Sequence, residues 1–210
     1  MTEREKQIRS MKVFEKHWQD LKLVTRFNWH LDQVPRDYYL NIVEEYAPKS
    51  FLDVGCGTGL TYELLKEGGY TGQYSGLDIT PQFIDSLAEK HPEADWHVGR
   101  CQNLPFKDNS FDLVTCRALL EHLPDPGPAI LEMVRVSKGP VVIVWHLVPK
   151  PREKMRFLDK HGVFNNTYSK KRIQDILLSS NLEITDEYGV KHREHQRVHT
   201  VWILNPRRRL

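Results

Sequence analysis

The nine residues from Phe51 to Gly59, FLDVGCGTG, constrain the fold of this chain more than any other stretch. A short apolar run, Ser50 to Val54, reads as a strand, and Gly55, Gly57 and Gly59 follow it at once. Glycine weakens regular structure, so a cluster of it marks backbone that turns sharply or lies close to something. The spacing is G-x-G-x-G, which differs from the G-x-G-x-x-G of dinucleotide folds. Asp53, just before the first glycine, puts an acid where a cation fits better than a pyrophosphate.

The flanking chain alternates between two periods. TYELLKE predicts a helix that stops at Gly68-Gly69, and Gln73 to Leu77 a second strand that ends at Asp78. Thr80-Pro81 is a helix start, with a hydroxyl to cap and proline at the first helical position, and QFIDSLAEKH continues it. Asp95 to Val98 and FDLVTC predict the third and fourth strands, PAILEMVRVSK a helix, and PVVIVWH the fifth strand. Such alternation argues for a parallel sheet with helices on both faces.

The ends of the chain depart from this rhythm. Residues 1–47, rich in aromatics, are expected to form an amino-terminal helical cap segment on a domain of residues 48–210. Residues 150–168 show no clear period and are expected to be an insertion or lid. Ser169 is placed to cap a helix, KKRIQDILLSS. Leu182 to Tyr188 and Thr200 to Asn205 read as strands joined by a polar connection of roughly ten residues, too short for an easy helical crossover, so an antiparallel hairpin is expected.

Composition excludes several classes. The 210 residues suffice for one domain with a full core, or one plus a small cap. A net charge of +2 gives no strong argument for nucleic acid, and Arg207-Arg208-Arg209 reads as a solvated tail, the alternative being a contact for an anionic partner. The charged start, MTEREKQIRSMK, has no apolar signal core, and no apolar stretch is long enough to cross a bilayer. Cys56, Cys101 and Cys116 are odd in number and unpaired in spacing, so neither a disulfide framework nor a structural zinc site is expected and a cytoplasmic location fits.

In an open parallel sheet, ligands bind beyond the carboxyl ends of the strands, where the strand order reverses. There the glycine turn lets backbone pass close to a ligand, and helix-start amides favour a carboxylate or phosphate. Asp78 ends the second strand, where a carboxylate can accept from both hydroxyls of a ribose. These residues sketch a ligand with a cationic end, a carboxylate and a ribose.

FLDVGCGTG, then YSGLDIT, GRCQNLPFKDNSFDLVTC and ALLEHLPDP, resembles the class I S-adenosylmethionine-dependent methyltransferases. It is most similar to the branch acting largely on small molecules, including the quinone and sterol methyltransferases. The likeness covers about residues 48–146 and the closing hairpin. It implies an α/β, Rossmann-like three-layer sandwich with a seven-stranded, mostly parallel sheet and an antiparallel last strand. It also implies S-adenosyl-L-methionine as cofactor, S-adenosyl-L-homocysteine as its product, no metal, and a small-molecule methyl acceptor.

Roles carry over at matching positions. Asp53 and the turn Gly55-Cys56-Gly57-Thr58-Gly59 would hold the methionine part of the cofactor. Asp78 would take the ribose hydroxyls, Ile79 would pack on the adenine, and Cys101 and Gln102 would border its edge. Cys116 and Arg117 would lie near the sulfonium and the substrate. The alternatives are that Asp53 only orders the turn and that Asp78 only caps a helix. Similar sequences often carry an acid where Arg100 stands; arginine only donates, so Gln102, a backbone carbonyl or a water would serve the adenine amine.

An oxygen or nitrogen acceptor also needs a proton removed. His146, at the end of the fifth strand, ranks first as the base, ahead of His122, His161 and Tyr168. The alternative for each is a hydrogen-bonded side chain without a chemical role. HREHQRVH, with His192, His195 and His199, reads as a solvated turn rather than a metal site. Trp18, Phe27, Trp29, Tyr38 and Tyr39 either roof a pocket with Phe157 and Phe164 or form ordinary core. Three functions follow: a small-molecule methyltransferase, a methyltransferase for protein or RNA, and a module that binds the cofactor or its product without turnover.

Overall fold

A computed structural model of the chain describes residues 37–155, 157–158, 163–191 and 198–206. Most of the segment 1–47, with Trp18, Phe27 and Trp29, lies outside the described residues, as do His161, His192, His195 and Arg207 to Arg209. Of that segment, Tyr38–Tyr46 forms helix α1. The chain then runs through β1 (Ser50–Val54), α2 (Leu60–Glu67), β2 (Gln73–Asp78), α3 (Pro81–Lys90) and β3 (Asp95–Val98). Next come β4 (Leu113–Arg117), a 3-10 turn at Leu120–His122, α4 (Gly127–Val136) and β5 (Val141–Trp145). Two-residue strands β6 (Phe157–Leu158) and β7 (Val163–Phe164) precede α5 (Lys170–Ser179), β8 (Leu182–Lys191) and β9 (Val198–Pro206).

The main sheet has seven strands in the order β3-β2-β1-β4-β5-β9-β8. Strands β1 to β5 are parallel, and β9 runs antiparallel to both β5 and β8. The expected closing hairpin is therefore present, and it is longer than the sequence suggests, because both strands extend into the polar connection.

Alternation along the strands divides the core into two layers. Leu52, Val54, Val114, Ile143, Trp145, Trp202 and Leu204 face α4 and α5, meeting Ile130, Met133, Ile173 and Leu177. Phe51, Leu113, Val142, Val144, Val201 and Ile203 face the other way, onto Tyr39 and Ile42 of α1 and Tyr62 and Leu65 of α2. Tyr38 and Tyr39 are thus ordinary core, the plainer of their two readings. The partly buried Trp96 bridges this layer to Ile84 and Leu87 of α3.

Local rules explain the boundaries. Ser169 caps α5, its hydroxyl accepting from the Arg172 amide at 3.1 Å. Pro81 opens α3 as expected, but the Thr80 hydroxyl makes no capping bond and instead lies against Asp78. FDLVTC enters the sheet only at Leu113, because Asp112 spends its carboxylate on the start of β1, accepting from the amides of Lys49 at 3.0 Å and Ser50 at 2.9 Å. The loop from β3 to β4 is clamped by Arg135 of α4, which donates to the carbonyls of Phe106 and Leu104 and to Glu132 and Asp108. Glu132 also accepts the Leu104 amide at 2.7 Å.

The segment 150–168 is pinned at its carboxyl end to the turn after β4. The Asn166 amide donates to the Glu121 carbonyl at 2.9 Å, its side chain to the Leu123 carbonyl at 2.7 Å, and the Tyr168 hydroxyl to the Leu120 carbonyl at 2.8 Å. Short bridges, Lys150 with Ser169 and Lys154 with Thr167, close its two arms on each other.

Candidate active site

The order β3-β2-β1-β4-β5 reverses between β1 and β4, and in an open parallel sheet the carboxyl ends of the strands at that point are where ligands bind. The glycine turn lies there, directly after β1. Gly55, Gly57 and Gly59 have φ values of 78°, 56° and 83°, a region that glycine enters without steric penalty. The amides of Gly55 and Cys56 both donate to the Leu77 carbonyl, at 2.7 and 3.1 Å, which anchors the turn on β2. A Cβ on Gly55 would stand 3.2 Å from Leu119, and one on Gly59 would overlap Leu87. The glycines therefore serve both backbone shape and close packing by the helices around the turn.

Asp78 joins this turn from the end of β2. Its Oδ2 accepts the Gly57 amide at 3.0 Å and its Oδ1 the Thr80 amide at 2.9 Å. Burial pushes its carboxyl up, and the bonds from Thr80 and Gly57 pull it back. The Thr80 hydroxyl and the Ile79 amide bear on the same carboxylate, which is therefore tied to its own turn on several sides. Asp78 is thus a structural tie, half-buried at the carboxyl end of β2 beside the glycine turn.

Other expected residues sit differently. Asp53 is 2% exposed, and its Oδ2 accepts the Tyr74 hydroxyl at 2.8 Å. It acts inside the α1–α2 layer beside Tyr39, whose hydroxyl is 2.9 Å from that of Thr115. Cys116 is 1% exposed and its side chain packs in the α4 layer. Burial pushes the thiols of Cys56, Cys101 and Cys116 up, Cys101 to about 12. Cys101 donates to Gln102 Oε1 at 3.4 Å, which leaves that carbonyl a second lone pair. Thr58 and Arg100 are exposed, and Ile79 and Arg117 are half-buried at the ends of β2 and β4.

Directly after β4, Ala118 adopts φ 47°, a conformation costly for a residue with a Cβ, and its amide donates to the Val144 carbonyl at 2.9 Å. This turn throws Leu120 to His122 across the end of β5. His122 is buried, and its Nδ1 donates to the Phe164 carbonyl at 2.7 Å, so the ring is a pin for the 150–168 segment; burial lowers its basicity. Tyr168 is likewise buried and spent on backbone carbonyls.

His146 stands apart from these pins. It is half-buried just past β5, and its backbone amide donates to Glu121 Oε1 at 2.6 Å, beside a 3.1 Å bond from the Leu147 amide. Its ring Nδ1 lies 3.1 Å from Nε2 of His199. His199 is 1% exposed and belongs to β9, which corrects its placement in a solvated turn. The physical reason is register: Val144 faces Val201, and two residues further on His146 meets His199 on the same face. Sequence reading also missed Glu121, 1% exposed; the signal was an acid enclosed by the apolar run ALLEHL.

Comparison with known proteins agrees with this geometry. Residues 52–144 match the family described as a methyltransferase domain. The chain is 34% identical over 134 residues to a demethylmenaquinone methyltransferase of Bacillus licheniformis, covering 60% of this chain and 56% of that protein. It is 36% identical over 120 residues to norajmaline N-methyltransferase of Rauvolfia serpentina, covering 50% and 39%. The chain thus spans about half the length of the curated relatives it matches. In structure it is similar to the 1,6-didemethyltoxoflavin-N1-methyltransferase of Burkholderia thailandensis, with a TM-score of 0.61 at 14% identity over 76% of this chain and 71% of that one.

Proposed function

We propose that this chain, which carries a class I S-adenosylmethionine-dependent methyltransferase domain, moves a methyl group to an oxygen, nitrogen or carbon atom of a small-molecule acceptor. The observation that carries this reading is the bond between Asp78 and Gly57, which sets a carboxylate beside a glycine turn at the switch point of the sheet. That donor and acceptor set fits S-adenosyl-L-methionine: Asp78 would hold the ribose hydroxyls, the turn from Gly55 to Gly59 the methionine part, and Ile79, Cys101 and Gln102 the adenine. When bound, the cofactor supplies a methyl group already activated by a sulfonium.

The chain's own task is then alignment, exclusion of water and handling of one proton. His146 is the residue for the proton, since burial lowers the basicity of His122 and Tyr168 is spent on backbone carbonyls. The pinned segment 150–168 would wall the acceptor side of the cleft. Two of the relatives named above are a demethylmenaquinone methyltransferase and a norajmaline N-methyltransferase, which supports a small-molecule acceptor. Three free cysteines support a reducing, cytoplasmic setting, and among the described residues no helix is long and apolar enough to cross a membrane.

The test is calorimetric titration of S-adenosyl-L-methionine, followed by incubation with naphthoquinols, phenols and heterocyclic amines. Mass spectrometry reads S-adenosyl-L-homocysteine and methylated product together. Binding with product formation supports the reading, binding without product from any acceptor points to a non-catalytic module, and no binding overturns it.

A further inference from the structure

The two histidines that meet at the end of β5 have a property neither has alone. With His146 Nδ1 and His199 Nε2 3.1 Å apart, one ring must donate and the other accept. If His146 takes up a proton it becomes an imidazolium, with protons on both nitrogens. Its Nδ1–H then points at His199, which must be neutral there to accept it. A second proton on the pair would set two cations against each other. The nearby Glu121 carboxylate offers compensation for one positive charge. It is buried, its Oε1 is fixed by two amides, and its Oε2 has no hydrogen-bond partner among the described residues.

We propose that His199 is the positioning residue for His146: its Nε2 accepts the Nδ1–H whenever His146 is protonated, and Glu121 balances the charge, so the neutral pair takes up one further proton and not two. The inference rests on the reading of His146 as the base of the proposed reaction. It also explains why an imidazole is buried on β9 among Val201 and Ile203, where a hydrocarbon would pack as well. The charged bond is stronger than the neutral one, so His199 makes His146 a better proton acceptor at Nε2.

Among the described residues the titratable surroundings are few. Glu121 comes from the turn after β4; burial pushes its carboxyl up, while backbone amides and the charge on His146 pull it back. Cys116 from β4 and Tyr168 from the segment before α5 feel Glu121, and burial raises both, so both stay neutral. Among the described residues, charge at this corner is therefore shared by Glu121, His146 and His199.

The experiment is a pH titration of nitrogen-15-labelled histidines by NMR on the full chain, without cofactor or acceptor. In the wild type, His146 and His199 are expected to titrate at well-separated midpoints, as one coupled pair. His199→Leu should move the His146 midpoint down by about one pH unit, the scale of one charged hydrogen bond. His199→Gln, whose side-chain carbonyl can reach the same position, should restore most of that shift. With an accepted substrate, the acidic limb of the pH–rate profile should move in the same order. Two rings titrating independently in the wild type would overturn the proposal even if His199→Leu failed to fold. So would a His146 midpoint unmoved in both variants. A chain that titrates as a pair but methylates nothing would overturn the proposed function and leave this inference standing.

Discussion

Asp78 and Gly57, twenty-one positions apart, are joined by a 3.0 Å hydrogen bond from the glycine amide to Oδ2. The bond makes the carboxylate part of the turn it faces. Through the Thr80 amide on Oδ1, it also fixes the start of α3. Ligand binding and local stability therefore share one side chain.

Replacing Asp78 should consequently cost both. Asp78→Ala removes the acceptor for two amides, each such charged bond being worth roughly 1.5–3 kcal/mol, and a net loss of about 2 kcal/mol of folding stability is expected after solvation of the freed groups. Cofactor affinity should fall by about tenfold to a hundredfold for each ribose bond lost. Asp78→Asn should be milder in both respects. Thermal melts with calorimetric titration of S-adenosyl-L-methionine decide the matter. Unchanged melts in Asp78→Ala would remove the structural tie, and unchanged affinity would remove the ribose assignment.

The glycines should differ in sensitivity. Gly59→Ala combines φ 83° with overlap on Leu87, and about 2–4 kcal/mol of destabilisation is expected. Gly55→Ala has a similar φ of 78°, but its new Cβ meets only the flexible end of Leu119 at 3.2 Å, so about 1–2 kcal/mol should suffice. Urea denaturation of the two variants measures the order. Equal losses would show that backbone conformation alone sets the requirement.

Glu132 gives a dependence on pH. The Arg135 bonds hold its carboxyl below its ordinary value of 4.5. An acid depressed in the folded state stabilises above its unfolded pKa, and that contribution is lost as pH falls through the folded one. Glu132→Gln should therefore be less stable than wild type at pH 7, with the gap closing as pH drops below 4.5. Melts from pH 7 to about pH 3 test it; a gap independent of pH would mean that Glu132 acts through packing.

All three cysteines are buried and their thiols are raised, so few thiolates are present to react. An aromatic disulfide reagent at about pH 8 should label none of them rapidly, with labelling following the rate of global unfolding. Rapid reaction of Cys101 would show that the loop after β3 opens on its own.

Much of this architecture could be read from the chain because its strands are short apolar runs closed by glycine, proline or acid. The run VVIVW could be little else than a central strand, and it is one. What escaped depended on partners distant in sequence. The Thr80 hydroxyl was read as a helix cap because a local rule favours it, yet Asp78 is the stronger attraction. For the same reason the sequence suggests little stability cost for Asp78→Ala, while the two amide bonds argue otherwise. His199 sits in the polar string HREHQRVH, and only pairing with β5 buries it. The bonds of Glu121 to two amides more than twenty residues away have no local signature.

The position of β9 bears on how the chain is made. Strand β5 is buried along its whole length, and one of its edges is covered by β9, which lies more than fifty residues later in sequence. Until residues 198–206 leave the ribosome and insert between β5 and β8, that edge is an open row of amides and carbonyls on a strongly apolar, β-prone segment. Nascent chains are then most exposed to edge-to-edge association. Damage to β9 would accordingly register first as insoluble product during expression, before any defect in the purified protein could be measured.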